Sequence, residues 1–138
     1  MTSAGTTEEG GRPARPLSPH LSIYRPIVTM VMSILHRITG ILNVGGMLLV
    51  VGYLLAVASG PQAYADASWF FGSMVVRVVM VAFSWSLIHH MLGGIRHAIW
   101  DAGRGFGDVR YTMSWLTLFG SVTLTVLLWV FVITWEAV

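Results

Sequence analysis

The sequence has 138 residues, of which 55% are hydrophobic and only 10% are charged, and its formal net charge is +2. Soluble domains average about 25% charged residues, so this composition excludes an ordinary water-soluble protein and indicates a small, single-domain integral membrane protein. The lack of cysteine excludes disulfides, iron–sulfur ligation and thiol catalysis within the chain, and the low net charge excludes a nucleic-acid-binding surface.

The N-terminal region is polar and precedes the first hydrophobic run. Residues 1–20 are rich in glycine, threonine and proline, include Glu8 and Glu9, and lack the apolar segment of a secretory signal peptide. The acidic pair also disfavours a mitochondrial transit peptide. We therefore predict a flexible polar tail over 1–14, followed by a proline-punctuated segment at the membrane surface over 15–28.

Three uncharged runs follow, at residues 38–65, 78–95 and 111–135. A helix needs about 20 mostly apolar residues to cross a bilayer, so each run suffices for one crossing. We predict transmembrane helices near 29–57, 70–98 and 112–135. The predicted fold class is thus an all-α integral membrane protein, with a three-helix transmembrane domain over 29–138.

The distribution of arginine predicts the orientation of these spans. The loop between the first two spans contains Asp66 and no arginine, and Arg77 is expected to snorkel to the boundary at that end. Five arginines lie before the first span or after the second: Arg12, Arg15, Arg25, Arg104 and Arg110. The positive-inside rule then places the N-terminus in the cytoplasm and the C-terminus outside.

The first span carries the polar motif "SILHRITG" at residues 33–40. Ser33 and Arg37 are four residues apart and share a helix face, with His36 beside them. A hydroxyl, a guanidinium and an imidazole at the membrane boundary can hydrogen-bond a ligand carbonyl. The alternative is a helix start whose arginine is anchored to lipid headgroups, and the residues alone leave both interpretations open.

The second span ends in "HHMLGGIRHAIWD", residues 89–101, which places His90 within the hydrocarbon region. A histidine at that depth either hydrogen-bonds a neighbouring helix or serves as an axial ligand of haem iron. Gly93 and Gly94 favour the interpretation of His90 as an axial ligand, because small residues let a macrocycle or another helix approach the backbone.

The other histidines of this motif are poorly placed to share one iron with His90. His89 points about 100° away from it, and His97, on the same face, lies about 10 Å further along the axis. A second axial ligand would therefore come from another helix or another polypeptide. We expect Arg96 and His97 at the cytoplasmic interface, where cations can meet haem propionates.

Together, "RPLSPHLSIYRP" (15–26), "SILHRITG" (33–40) and "HHMLGGIRHAIWD" (89–101) resemble the cytochrome b membrane-anchor subunit of succinate dehydrogenase, respiratory complex II. The resemblance implies a helical bundle shared with a second anchor subunit, docked to an iron–sulfur subunit and a flavoprotein that carries FAD. In that complex succinate is oxidised in the flavoprotein and a quinone is reduced at the membrane. The chain itself would perform no succinate chemistry.

The resemblance also implies roles for individual residues. His90 matches an axial ligand of haem b, whose other ligand belongs to the second anchor subunit. Ser33 and Arg37 match residues that line the quinone pocket, and His36, Arg37 and His97 would lie near the haem propionates. We expect the complex in a bacterial cytoplasmic membrane in preference to the mitochondrial inner membrane.

Two alternatives remain at this point. One is a haem-free structural anchor of the same type of complex, although retention of His90 disfavours it. The other is a small proton-conducting subunit with His90, His97 and Asp101 as a relay. That second reading is weakened by the third span, 112–135, which has no ionisable residue at all.

Overall fold

The computed structural model of the chain describes residues 23–136. Within that range the backbone forms four helices: α1, Val28–Ser59; α2, Pro61–Gly72; α3, Met74–Asp101; and α4, Val109–Glu136. Helices α1, α3 and α4 are each long and apolar enough to cross a membrane, which confirms the predicted all-α class and the three spans. The predicted polar tail, 1–14, and most of the predicted surface segment lie outside the described residues.

The connection between the first two spans is helical, which the sequence analysis did not predict. Gly60, with φ of 113°, interrupts the helix between α1 and α2. Pro61 occupies the first position of α2, where a backbone N–H would have no partner within the helix and its absence costs nothing. After α2, the hydroxyl of Ser73 caps the N-terminus of α3 by accepting a backbone N–H. The predicted span 70–98 is therefore wrong at its start, because residues 70–72 complete α2.

Polar groups lie inside the bundle and apolar side chains lie outside. Among the described residues, Met32 and Val76 are the only buried hydrophobic side chains. The buried polar residues are Thr39, Ser86, His89, Arg96, Ser114, Thr117, Ser121 and Thr125. The hydroxyls of α4 donate hydrogen bonds to backbone carbonyls three or four residues earlier. These small polar side chains therefore have hydrogen-bond partners within their own helix. Because lipid is as apolar as leucine, small residues and hydrogen bonds hold such helices together.

Helix α3 packs against both α1 and α4. Toward α1, the hydroxyl of Ser86 donates to Oδ1 of Asn43 at 2.8 Å. Toward α4, Nε1 of Trp129 donates to the hydroxyl of Ser84 at 3.4 Å. The motif at 89–101 is therefore carried by a helix that α1 and α4 both contact.

Gly46 of α1 lies directly against Phe83 of α3. A Cβ atom built on Gly46 would overlap the ring of Phe83, whereas one built on Gly45 meets no atom within 4 Å. We expect Gly46→Val to destabilise the protein by about 1–3 kcal/mol through overpacking. The matched variant Gly45→Val should change stability by less than about 0.5 kcal/mol. Thermal unfolding of the detergent-solubilised protein measures both, and equal midpoints would contradict this packing.

Candidate functional site

Three imidazoles meet where α1 contacts α3, and we call His36, His90 and His97 the histidine cluster. The rings of His36 and His90 are stacked, with centroids 4.0 Å apart and planes 5° from parallel. The centroids of His36 and His97 are 5.1 Å apart. His90 and His97 share a face of α3 because seven residues make about two turns. The cluster thus joins the polar motifs of the first two spans.

His90 is held through one of its two ring nitrogens. Its Nδ1 lies 2.9 Å from the backbone carbonyl oxygen of His36 and 3.3 Å from the hydroxyl of Thr39. A carbonyl only accepts hydrogen bonds, so Nδ1 carries the proton and a neutral ring then has a free lone pair on Nε2. This tautomer, with Nδ1–H bound to a carbonyl, is the arrangement that metal-ligating histidines adopt.

The Nε2 atom of His90 has no hydrogen-bond partner among residues 23–135, and the side chain is half-buried. Two glycines permit the close packing of the His36 and His90 rings. A Cβ on Gly40 would lie 3.0 Å from Cε1 of His90, and a Cβ on Gly93 would lie 2.5 Å from Nδ1 of His36. At Gly94, one turn beyond His90, a Cβ would meet nothing within 4 Å, so that position is open to an approaching group.

His89 faces a different side of α3, toward α4. It is fully buried, its Nδ1 lies 3.1 Å from the hydroxyl of Ser121, and its ring lies against Trp85. The two adjacent histidines thus face different helices, as helical spacing predicts. The buried position leaves His89 inaccessible to a large ligand approaching this chain from outside.

Arg96 is also buried within the chain, so its side chain does not lie on the surface beside His90. Its side chain is 2% exposed, and none of its three guanidinium nitrogens has a hydrogen-bond partner in the part of the chain that the structure describes. The guanidinium lies 5.1 Å from the centre of the Trp100 ring, a cation–π contact. Because Arg96 is six residues from His90, it faces away from it, toward the side of His89.

Ser33 and Arg37 lie in the turn of α1 that also carries His36. Ser33 is half-buried and Arg37 is exposed. Neither side chain forms a hydrogen bond with another described residue, so both are free to contact a group outside this chain. Asp101 is exposed at the last residue of α3 and makes no contact with the histidine cluster that would support a relay.

Thr39 and Gly40 contribute to the site and were not identified from the sequence. Thr39 is fully buried, and its hydroxyl donates to the carbonyls of its own helix while lying within 3.3 Å of His90. The signal was present in "SILHRITG", where both residues follow His36 by about one turn. Only the register of α1 against α3 reveals that they touch His90.

Comparison with known proteins places the whole bundle in one group. The family model described as "Succinate dehydrogenase/Fumarate reductase transmembrane subunit" matches residues 11–134. The succinate dehydrogenase cytochrome b556 subunit of Paracoccus denitrificans is 39% identical over 114 residues, which cover 82% of this chain and 88% of that protein. The cytochrome b556 subunit of Rickettsia prowazekii is 37% identical, over 84% and 91% of the two chains.

A mitochondrial protein is also similar. The succinate dehydrogenase cytochrome b560 subunit of Homo sapiens is 37% identical over 93 residues, which cover 66% of this chain and 55% of that protein. The aligned segments of all these relatives are long enough to include most of the described helices.

Proposed function

The chain belongs to the succinate dehydrogenase/fumarate reductase transmembrane subunit family and is a membrane subunit of that oxidoreductase, in which we propose that it binds haem b and forms part of the quinone-reduction site. One observation carries the haem proposal: His90 has Nδ1 bound to a backbone carbonyl and Nε2 left without a partner. The name cytochrome b, which its relatives bear, agrees with that reading.

The residues present fit a haem shared between two chains. His90 would bind the iron through Nε2, and the half-buried position of its ring suits a cofactor held at the surface of the subunit. The second anchor subunit would supply the other axial ligand, because no further histidine of α3 can reach the same iron from this face. When bound, haem b supplies a one-electron carrier beside the quinone site.

Three groups next to His90 would receive the haem propionates. The ring of His36 is half-buried, its Nε2 makes no hydrogen bond with another described residue, and His97 lies against the ring. Arg37, the next residue after His36, contributes a permanent positive charge. Arg96 is not included, since it faces the interior on the side of α4.

Ser33 and Arg37 would form this chain's part of the quinone pocket. Reduction of a quinone adds two electrons and two protons, and negative charge develops on its carbonyl oxygens. The hydroxyl of Ser33 can donate a hydrogen bond to one oxygen, and Arg37 can stabilise the charge in a low-dielectric pocket. Arginine stays protonated at all physiological pH values, so the role of Arg37 is electrostatic and the proton donor lies elsewhere.

The remaining parts of the proposal concern the assembly. The partners are the second anchor subunit, the iron–sulfur subunit with its clusters, and the flavoprotein with FAD. Arginine placement supports an orientation with the N-terminus in the cytoplasm and the C-terminus outside. The similarity of this chain to two bacterial proteins supports the cytoplasmic membrane of a bacterium as the location.

A dithionite-reduced minus oxidised absorbance spectrum of the complex, purified through this chain, tests the haem proposal. We expect one low-spin b-type haem per copy of the chain, quantified as the pyridine haemochrome. The chain expressed alone should bind less than about a tenth of that amount, because half of the ligation is missing and ligand loss weakens metal sites strongly. A complex without haem would support the structural-anchor alternative, and stoichiometric haem in the isolated chain would contradict ligation by a partner.

A further inference from the structure

A cavity of about 630 Å³ lies between all four helices at the end of the bundle that carries the N-terminus of α3. Its volume is within the range of about 300–1,000 Å³ that ligand sites occupy. Arg77, which lines it, is thirteen residues from His90, or about 20 Å along α3. The cavity is therefore separate from the histidine cluster and is not used by the function proposed above.

The lining of this cavity is mainly apolar. Tyr53 of α1 and Phe71 of α2 pack edge to face with centroids 5.1 Å apart and form part of its wall. Valine and methionine side chains of α3, together with Trp129, Val132 and Ile133 of α4, contribute most of the remainder. Such a surface neither orders water nor retains it, because water needs two to four polar partners. An apolar chain is the occupant that this lining accommodates.

Two polar groups lie on the same lining. Arg77 is exposed, and Ser68 has a buried hydroxyl oxygen with no hydrogen-bond partner among residues 23–135. Arg77 sits in the first turn of α3, where the helix dipole is already positive and a cation is disfavoured. Within the described range no acidic side chain pairs with it, and the side chain of Asp66 instead lies 3.3 Å from the amide of Gln62. An external anion at Arg77 would offset this unfavourable placement.

We propose that this cavity binds an anionic phospholipid of the surrounding membrane, with one acyl chain in the apolar cavity and the phosphate on Arg77. The bilayer supplies both parts of such a ligand at the level of the site. Charge complementarity selects the anionic headgroup, because the guanidinium presents paired N–H donors that match phosphate oxygens.

Gly72 offers a way to block the cavity without disturbing the packing. It lines the cavity, a Cβ built on it meets no atom within 4 Å, and its φ lies outside the left-handed region, so a larger residue is compatible with the backbone. Gly72→Leu therefore fills the volume reserved for the acyl chain. Gly52→Leu is the matched control, since Gly52 is exposed, also meets nothing within 4 Å and does not line the cavity.

The test is quantification of the phospholipids that remain on the whole complex after purification in a mild detergent, by native mass spectrometry and by headgroup analysis of the extract. We expect Gly72→Leu and Arg77→Gln each to retain one anionic phospholipid fewer per complex than the wild type. Gly52→Leu and Arg110→Gln, which changes an exposed arginine at the opposite end, should retain the wild-type number.

Three results would overturn the proposal. A wild-type complex without a retained anionic phospholipid would show that the cavity holds no such ligand. Loss of a quinone or of a neutral lipid in Gly72→Leu would identify a different occupant. Equal losses in the test and control variants would show that retention does not depend on this cavity. None of these results bears on haem content, so the proposed function is tested separately.

Discussion

His90→Ala is expected to abolish stoichiometric haem binding in the assembled complex. The substitution removes Nε2 of His90, which is free of a hydrogen bond within the described chain and belongs to a ring whose Nδ1 is held by a carbonyl. Changing merely an outer-shell partner of a metal ligand costs about 10–100-fold in affinity, so loss of the ligand itself should reduce haem content at least tenfold. Pyridine haemochrome quantification per mole of assembled complex is the measurement.

Two controls separate ligation from misfolding. His89→Ala changes the neighbouring residue, which is buried against Ser121, and it should retain haem per assembled complex even if the yield falls. Imidazole added to His90→Ala during haem loading should restore part of the low-spin spectrum, because it supplies the missing nitrogen. If His90→Ala kept its haem while His89→Ala lost it, the assignment of the ligand would be wrong.

The second large effect is expected for Arg37→Leu, which should lower succinate–quinone reductase activity by about a hundredfold. The estimate follows from other enzymes, in which removing one electrostatic stabiliser of developing oxyanion charge costs about 10²–10³ in rate. Succinate oxidation by an artificial acceptor should be unchanged, because those electrons leave the complex before they reach the quinone. Comparing the two assays on the same purified sample measures the effect directly.

Variants at exposed arginines test whether quinone reductase activity depends on the position and shape of the arginine side chain or only on its charge. Arg37→Lys keeps the charge but loses the planar pair of donors, and it should show intermediate quinone reductase activity. Arg110→Leu removes an arginine at the start of α4 and should leave both assays at wild-type rates. Equal losses of both activities in Arg37→Leu would point to defective assembly and would contradict a role in the quinone pocket.

Hydrophobicity alone predicted most of the fold. The predicted spans 29–57 and 112–135 lie within three residues of α1 and α4 at either end, because a bilayer permits little besides a continuous helix across its apolar core. Helix α2 was missed because its run is short and only partly apolar. Gly60 and Pro61 mark its start in the sequence and would have allowed its prediction.

The site was less predictable than the fold. The divergence of His89 and His90 followed from helical geometry within one element. The stacking of His36 on His90 did not, since it depends on the register between two helices. The burial of Arg96 was likewise not predictable, because hydropathy places an arginine near an end of a span without saying which neighbour it faces.

The hydrogen bond from Nδ1 of His90 ends on the main chain of His36, immediately before Arg37. Under the proposed function, the peptide unit that orients the haem ligand is thus joined covalently to the residue that polarises the quinone. A substitution that shifts this turn of α1 will alter the haem spectrum and the quinone kinetics together. Evolution therefore cannot adjust quinone affinity through the backbone of this turn without also retuning the redox potential of the haem.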